Sequence, residues 1–180
     1  RAIGFLEHAG ARPFVLVASF DEPHDPSVAP PEYWEKFSGD EIPMPANFNA
    51  DASDRPLLLQ IQKQENGELS WHEYSHSAQV RHFLGCNSYV DREIGRVVDA
   101  VDRLHREDTV IFYTSDHGDQ MRSHGLISKG PMMYEETCSI PFIVRCPGRT
   151  QGAVSEALVS HLDIIPTMLD LSGIETPGAL

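Results

Sequence analysis

The feature that most constrains the fold is an apolar run that ends in a carboxylate and an imidazole. Residues 109–114 read Thr-Val-Ile-Phe-Tyr-Thr, and Ser115, Asp116, His117 and Gly118 follow directly. Such a run is typical of a strand, and in open α/β sheets ligands and metals bind beyond the carboxyl ends of the strands. A carboxylate beside an imidazole at that edge is a candidate site for a divalent cation. A capping Asp followed by a surface His is the simpler alternative, and the spacing alone does not separate the two.

Helical and strand patterns alternate along the chain. Apolar side chains recur every three or four residues over about 75–106, which predicts a long amphipathic helix that could be interrupted near Gly85. A second helix is predicted over about 161–172, ending at Gly173. Short apolar runs predict buried strands at 13–20, 110–114 and 140–145. The alternation indicates an α/β sandwich with a mainly parallel sheet flanked by helices.

Between the first strand and the long helix lies a segment, about 22–56, that is rich in proline. The prolines disfavour regular structure there beyond a turn of helix near 31–37, and such excursions are usually functional loops or disorder. We expect it to lie over the carboxyl edge of the sheet. The chain starts inside an apolar helical pattern, so we expect residues 1–180 to be a single but partial domain of something longer.

Composition narrows the possible partners. The 180 residues carry a formal net charge of −13, from 27 acidic and 14 basic residues, and no basic stripe is present, which disfavours nucleic acid. No apolar run approaches the roughly 20 residues that cross a bilayer. The three cysteines have no C-x-x-C spacing and indicate ordinary thiols rather than a disulfide framework or a zinc cluster.

Two further side chains could act with the Asp-His pair. Lys129 stands before Gly130 in a loop after His117, where a compact ammonium would suit a tetrahedral anion. His24 lies between Pro23 and Pro26 after the first strand, and histidine is well suited to protonate a leaving group near neutral pH. The simpler alternative for Lys129 is a solvated loop lysine, and for His24 it is a turn histidine bonded to Asp21 or Asp25.

Several short motifs follow one another along the chain: SF at 19–20, PHDP at 23–26, YVDREIGRVV at 89–98, TVIFYTSDHGD at 109–119, KG at 129–130, YEE at 134–136, IPFIVRCPG at 140–148 and HLDIIPTML at 161–169. Taken in this order, they resemble the sulfatase family of the alkaline phosphatase superfamily. Each motif is modest evidence by itself. Their common order along nearly the whole chain makes the resemblance strong.

The resemblance implies a role for each candidate. Asp116 and His117 would ligate a divalent metal, usually calcium, that holds the sulfate ester. Lys129 would contact a sulfate oxygen, and His24 would lie near the ester oxygen to assist the leaving group. A metal and two cations suit a tetrahedral group that gains negative charge in the transition state. His124 and Asp119 match a loop of less constant role and are candidates for substrate contact only.

The metal and the nucleophile stay open at this point. Calcium prefers oxygen ligands, whereas imidazole suits manganese or zinc, so His117 does not decide the ion. Sulfatases carry a formylglycine made from Cys or Ser in a Cys/Ser-x-Pro-x-Arg motif, and this chain has none; residues 139–143 come nearest, with Ile143 in place of Arg. We therefore expect the segment to be inactive alone. A phosphonate monoester or phosphodiester hydrolase and a non-catalytic homologue are the alternatives, and the resemblance implies export to a periplasmic, extracellular or lysosomal compartment.

Overall fold

The computed structural model describes residues 1–39, 42–68, 76–105 and 107–178. Its helices and strands are, in chain order, α1 (Ala2–Ala9), α2 (Pro31–Trp34), α3 (Leu57–Glu68), α4 (His76–Leu104), β1 (Ile111–Thr114), α5 (Glu135–Cys138), β2 (Phe142–Arg145) and α6 (Ile164–Leu171). Single 3-10 turns occupy Glu35–Phe37, Ser123–Gly125 and His161–Asp163. This mixture of helices and strands confirms the predicted α/β class.

Helix α4 carries the core of the segment Arg1–Gly148. Its Ala100 and Val101 are 1% and 5% exposed and pack against Leu6 of α1, which is 1% exposed. Phe14, Leu16, Val97 and Ile111 surround this cluster, so α1, α4, β1 and the segment 13–20 meet there. The three-and-four spacing of apolar residues therefore predicted α4 correctly. The predicted ends at Ser75 and Arg106 lie outside the described residues.

Gly85 does not interrupt α4, which runs unbroken from His76 to Leu104. Its role is to let α2 approach the helix closely: a Cβ at Gly85 would lie 2.6 Å from Cα and 2.8 Å from N of Trp34. The Trp34 ring stacks on His82 of α4, with 5.2 Å between ring centroids. Position 85 therefore requires a residue without a side chain, and the helix continues through it.

We expect Gly85→Ala to lower the free energy of unfolding by about 1–3 kcal/mol, because the new methyl group meets backbone atoms that cannot rotate away. Gly95→Ala in the same helix is the matched control. Nothing lies within 4 Å of its Cβ position, so alanine there should raise stability, by up to about 1 kcal/mol. Urea unfolding measures both variants, and equal stabilities would show that α2 moves aside without cost.

The segment 13–20 differs from the predicted strand. The structure assigns it to neither helix nor strand, and burial alternates along it: Phe14 and Leu16 pack on the core while Val15 and Val17 are 71% and 83% exposed. A continuous apolar run predicts burial on both faces only where neighbours cover both. Among the described residues, the one sheet consists of β1 and β2, and neither of them pairs with this segment.

Strands β1 and β2 form an antiparallel pair, with Ile111 opposite Arg145 and Thr114 opposite Phe142. The prediction of a mainly parallel sheet does not hold for this pair. A parallel return needs a crossover that carries the chain back along the strand. The chain instead re-enters the sheet beside the end of β1, since Phe142 at the start of β2 pairs with Thr114 at the end of β1.

The chain divides into two compact units, Arg1–Gly148 and Arg149–Leu180. In the second unit, α6 follows a capping box in which the Ser160 hydroxyl accepts from Leu162 N and the Asp163 carboxylate accepts from Ser160 N. Gly173, at φ 68°, follows the C-cap residue of α6, which confirms the predicted end of this helix. The cysteines are free thiols, as the sequence indicated. Among the described residues, no helix combines the length and apolar character that crossing a bilayer requires.

Candidate active site

The Asp-His pair lies directly beyond the carboxyl end of β1, where the sequence predicted it. The Asp116 Oδ1 atom accepts a hydrogen bond from His117 N at 2.9 Å, and Asp116 Oδ2 lies 3.4 Å from His117 Nε2. Burial works to raise the pKa of Asp116, but the His117 backbone hydrogen bond and the nearby imidazole outweigh it and hold the pKa below its ordinary value. The carboxylate is exposed and ionised, so it is available to a cation.

These two side chains fit a divalent cation as neighbouring ligands. His117 Nδ1 lies 2.8 Å from the Gly118 carbonyl and donates to it, so Nε2 is the ring nitrogen that would bind an ion, in the form of the ring that carries no proton there. Ligands at right angles on one ion, each about 2.0–2.6 Å from it, lie roughly 3–3.5 Å apart, close to the observed spacing. Among the described residues, no group of three His, Cys, Asp or Glu side chains is placed to hold a metal ion. The pair by itself would fill only part of the coordination shell of a divalent ion.

His24 and Lys129 come together although they are far apart in the sequence. Lys129 Nζ lies 2.8 Å from His24 Nε2 and donates to it, while His24 Nδ1 lies 2.9 Å from the Asp25 carbonyl. Since the ammonium has only donors, this arrangement places the ring proton on Nδ1. The loop around His24 is closed by bonds from His24 N to Asp21 O at 3.0 Å and from Ser27 N to His24 O at 2.9 Å.

Asp119 connects this pair electrostatically to the end of β1. Its Oδ1 atom accepts from Met121 N at 2.9 Å. Burial raises the pKa of Asp119, and the negative charge of Asp25 raises it further. Lys129 and His117 act in the opposite direction without cancelling the rise. One half-buried carboxyl group, that of Asp119, is thus within electrostatic range of both His117 and Lys129.

His124 makes a different set of contacts, with Tyr134, Asn47 and Glu136. Its ring stacks on Tyr134 with 3.9 Å between centroids and an interplanar angle of 12°. Its Nε2 atom lies 3.2 Å from Asn47 Nδ2 and 3.6 Å from Glu136 Oε1. Burial would raise the pKa of Glu136, but hydrogen bonds, including those from Ser123 and Asn47, and the nearby His124 hold it below its ordinary value. Protein groups thus contact the His124 ring on one face and at one edge.

Sequence reasoning missed Asn47 as a partner of His124 and assigned no role to Glu136. Asn47 belongs to a proline-rich stretch without periodicity, 77 positions from His124, so no spacing rule connects them. Glu136 stood only within a quoted motif. The one available signal was that an Asn in an irregular segment often hydrogen-bonds nearby backbone. That signal does not predict a partner so distant in the chain.

Nearly the whole chain matches one known family of proteins. The sulfatase family model matches residues 1–174. An uncharacterized sulfatase of Escherichia coli (strain K12), YidJ, is 38% identical over 186 residues, covering 100% of this chain and 36% of the relative. The chain thus spans about a third of the length of that relative.

Solved structures share the same architecture. A putative sulfatase from Bacteroides thetaiotaomicron is 25% identical, with a TM-score of 0.74, over 98% of this chain and 41% of that one. A phosphonate monoester hydrolase from Silicibacter pomeroyi is 24% identical, with a TM-score of 0.81, over 99% of this chain and 38% of that one, and its likeness concerns the fold alone. The structure is therefore a partial domain of alkaline-phosphatase-like fold. The chain belongs to the sulfatase family.

Proposed function

We infer that this chain is the part of a sulfuric ester hydrolase that holds the sulfate group and the leaving group. The observation that carries the proposal is the 2.8 Å contact between Lys129 Nζ and His24 Nε2. Two cationic or proton-bearing groups from distant segments meet there, and Lys129 and His117 both act to lower the pKa of Asp119 against the effect of burial. An anion that enters between Lys129 and His24 would receive a donor from each.

Each side chain has a distinct task in this proposal. Lys129 donates to a non-bridging sulfate oxygen, where negative charge grows as the ester bond breaks. His24 keeps one proton on Nδ1, held by the Asp25 carbonyl, and in its charged form donates a second proton from Nε2 to the ester oxygen. In this structure Lys129 Nζ contacts His24 Nε2. The substrate must therefore separate Lys129 from His24 before Nε2 can donate its proton to the ester oxygen.

Asp116 and His117 would hold a divalent cation, which supplies charge neutralisation at the sulfate oxygens when bound. Calcium is the proposed ion on the family resemblance, with manganese or zinc as alternatives because one ligand is an imidazole. The resemblance also implies a formylglycine nucleophile in the part of the protein outside this sequence, together with further metal ligands. We therefore propose that the segment alone does not turn over substrate.

One alternative activity has an observation in its favour. For a phosphonate monoester hydrolase, the observation is that His117, as a ligand, suits metals other than calcium. Phosphonate and phosphate esters are also tetrahedral anions, and Lys129 and His24 would act on them in the same way. Sulfate esters and phosphonate monoesters are both monoanions, so the two proposed activities differ in the central atom, its substituent and the metal rather than in these residues.

The test compares an aryl sulfate with an aryl phosphonate monoester as substrates of the full-length protein, each with calcium or manganese supplied. We expect the sulfate ester to be hydrolysed with the higher kcat/KM, and a chelator to abolish the activity. Preference for the phosphonate would favour the alternative. Activity on neither substrate, in a folded protein with metal bound, would indicate a non-catalytic homologue.

The metal ligands allow a matched pair of variants. Asp116→Asn keeps the shape of the side chain but removes its charge, and we expect metal affinity to fall by about 100-fold or more, because outer-shell partners alone are worth 10–100-fold. Asp108→Asn is the control, since Asp108 is an exposed carboxylate before the amino end of β1. Calorimetric titration of the full-length variants with calcium and manganese measures the change. Unchanged affinity in Asp116→Asn would remove this residue from the metal site.

A further inference from the structure

Lys129 depends for its position on the loop that carries it, residues 119–130, here called the lysine loop. The side chain itself is exposed, and its observed contact is the one with His24. Within the loop, non-glycine residues adopt left-handed backbone conformations at Met121 (φ 43°), Arg122 (φ 75°) and Ser128 (φ 55°). Such conformations persist only where the surrounding structure enforces them.

Internal hydrogen bonds give the lysine loop its shape. Gln120 N donates to Ser128 O at 2.8 Å and Arg122 N donates to Leu126 O at 2.9 Å. These hydrogen bonds join the first part of the loop to its last part. The Leu126 side chain is fully buried beneath them. These bonds hold the loop together as a unit. They do not determine where that unit lies relative to His24, which must come from contacts outside it.

Asn47 makes such a contact at the tip of the loop. Its Oδ1 atom accepts from His124 N at 3.3 Å, and its Nδ2 atom lies 3.2 Å from His124 Nε2 and 3.4 Å from Glu136 Oε1. Because a backbone N–H can only donate, the amide oxygen must face it, which leaves the amide nitrogen to face the ring and the carboxylate. One side chain therefore holds the backbone and the ring of His124 and joins both to α5.

His124 is held on its other side as well. It has a left-handed φ of 56°, and its ring lies flat against Tyr134 at 3.9 Å between centroids. Both Tyr134 and Glu136 belong to the segment that begins α5. The tip of the lysine loop is thus fixed between α5 on one side and the proline-rich segment on the other.

Asn47 has its own anchor. Phe48 N donates to Pro45 O at 3.0 Å and Ala50 N donates to Asn47 O at 3.0 Å, so Asn47 lies within two overlapping turns. The Lys63 ammonium of α3 donates to the carbonyl of Ala50. The turn is therefore tied to a helix, and it can transmit the position of that helix to the lysine loop.

We propose that Asn47 is a positioning residue that holds the lysine loop, through His124 and Glu136, in the place where Lys129 reaches His24. Asn47 touches neither His24 nor Lys129, so it acts through the loop. This inference rests on the proposed function only as regards catalysis. The mechanical part, that Asn47 orders the loop, stands on the contacts alone.

The mechanical part is tested by hydrogen exchange in the full-length protein. We expect Asn47→Ala to accelerate exchange of the amides at 120–130 by about tenfold or more, because local opening no longer breaks the Asn47 contacts. Asn49→Ala is the matched control: Asn49 is the same residue type two positions away and is exposed. Its exchange pattern should equal that of the wild type. Equal exchange in both variants would overturn the proposal, whatever the protein catalyses.

A double substitution at Asn47 and Glu136 distinguishes the loss of their specific contact from a general loss of packing. Asn47→Asp keeps the acceptor for His124 N but places a carboxylate beside Glu136, so we expect loop exchange at least as fast as in Asn47→Ala. Adding Glu136→Gln to Asn47→Asp supplies an amide donor from the other side. We expect this double variant to recover protection at 120–130. Failure of the recovery would show that the Asn47 to Glu136 contact does not hold the loop.

The catalytic part is tested by a double-mutant cycle with the better substrate from the assay above. We expect Asn47→Ala to lower kcat/KM by about 10- to 100-fold, since small misplacements of a positioned group cost up to 10²-fold. In a Lys129→Ala background the same change should cost less than about twofold, because residues that act through one another are not additive. Equal losses in both backgrounds would overturn the catalytic part. A wild-type protein without activity would instead count against the proposed function, while the exchange experiment still decides on the loop.

Discussion

Alanine at His24 is expected to slow hydrolysis of unactivated alkyl sulfates by about 10²- to 10⁴-fold, which is the usual contribution of a general acid. The reason lies in the leaving group. An alkoxide needs a proton as the ester bond breaks, and in the proposed mechanism that proton comes from His24 Nε2. A leaving group that is already stable as an anion, such as a nitrophenolate, needs it far less. We therefore expect the same variant to lose little activity on a nitrophenyl sulfate.

The measurement is a series of sulfate esters of increasingly acidic alcohols, with kcat/KM determined for the full-length wild type and for His24→Ala. The rate should depend more steeply on the acidity of the alcohol in the variant than in the wild type. His8→Ala is the control, because His8 is exposed on α1 and bonds only within that helix, to the Gly4 carbonyl at 2.6 Å. A uniform loss across the series in His24→Ala would assign His24 to binding rather than to proton transfer.

Lys129→Ala provides the contrasting pattern in the same series. In the proposal the ammonium donates to a non-bridging sulfate oxygen, and that charge develops whichever alcohol leaves. We expect a loss of about 10²- to 10³-fold that is similar for every ester, as for removal of one donor to a developing oxyanion. If the loss instead follows the acidity of the alcohol, then Lys129 acts with His24 on the leaving group. The 2.8 Å contact between the two side chains makes that outcome physically accessible.

The parts of the fold that could be predicted are those governed by local pattern. The repeat of apolar residues in α4 and the apolar run of β1 depend on periodicity, and both elements lie close to where the sequence placed them. Helix α3 was not predicted, because its apolar side chains do not form one buried face: Leu59 is 3% exposed, whereas Leu57 and Leu58 are 69% and 54% exposed. The antiparallel pairing of β1 with β2 could not be predicted from the sequence either, because it depends on the path of the chain between the two strands.

The candidate site shows the same division between local and distant information. His24, Asp116, His117 and Lys129 could each be named from their immediate neighbours and from family motifs, and their proposed roles stay predictions. The structure adds the distances, above all the meeting of Lys129 with His24. It also adds Asn47, whose partners lie far along the chain. Chemistry-bearing residues stand out by type and spacing, whereas the residues that hold them in place do not.

Gly118 illustrates what the sequence could not indicate about a residue that it did single out. The sequence shows only that Gly118 follows the Asp-His pair, whereas the structure shows a steric constraint on it. A Cβ at Gly118 would lie 2.1 Å from the carbonyl oxygen and 3.1 Å from the carbonyl carbon of Glu136. The Gly118 N–H donates to Thr137 O at 2.9 Å, which holds the two backbones together. The end of β1 is therefore packed directly against the main chain of α5.

We expect Gly118→Ala to lower the free energy of unfolding by about 3 kcal/mol, at the upper end for overpacking, because the methyl group meets main-chain atoms and no side chain can rotate away. Gly4→Ala is the control, since nothing lies within 4 Å of its Cβ position and its place in α1 favours alanine. Denaturant unfolding of the full-length variants compares them. The Gly118 carbonyl also accepts from His117 Nδ1, so relief of the clash by moving this backbone would turn the imidazole that faces Asp116. Metal affinity should therefore fall together with stability in Gly118→Ala, and a variant as stable as Gly4→Ala with unchanged metal affinity would show that α5 does not constrain the end of β1.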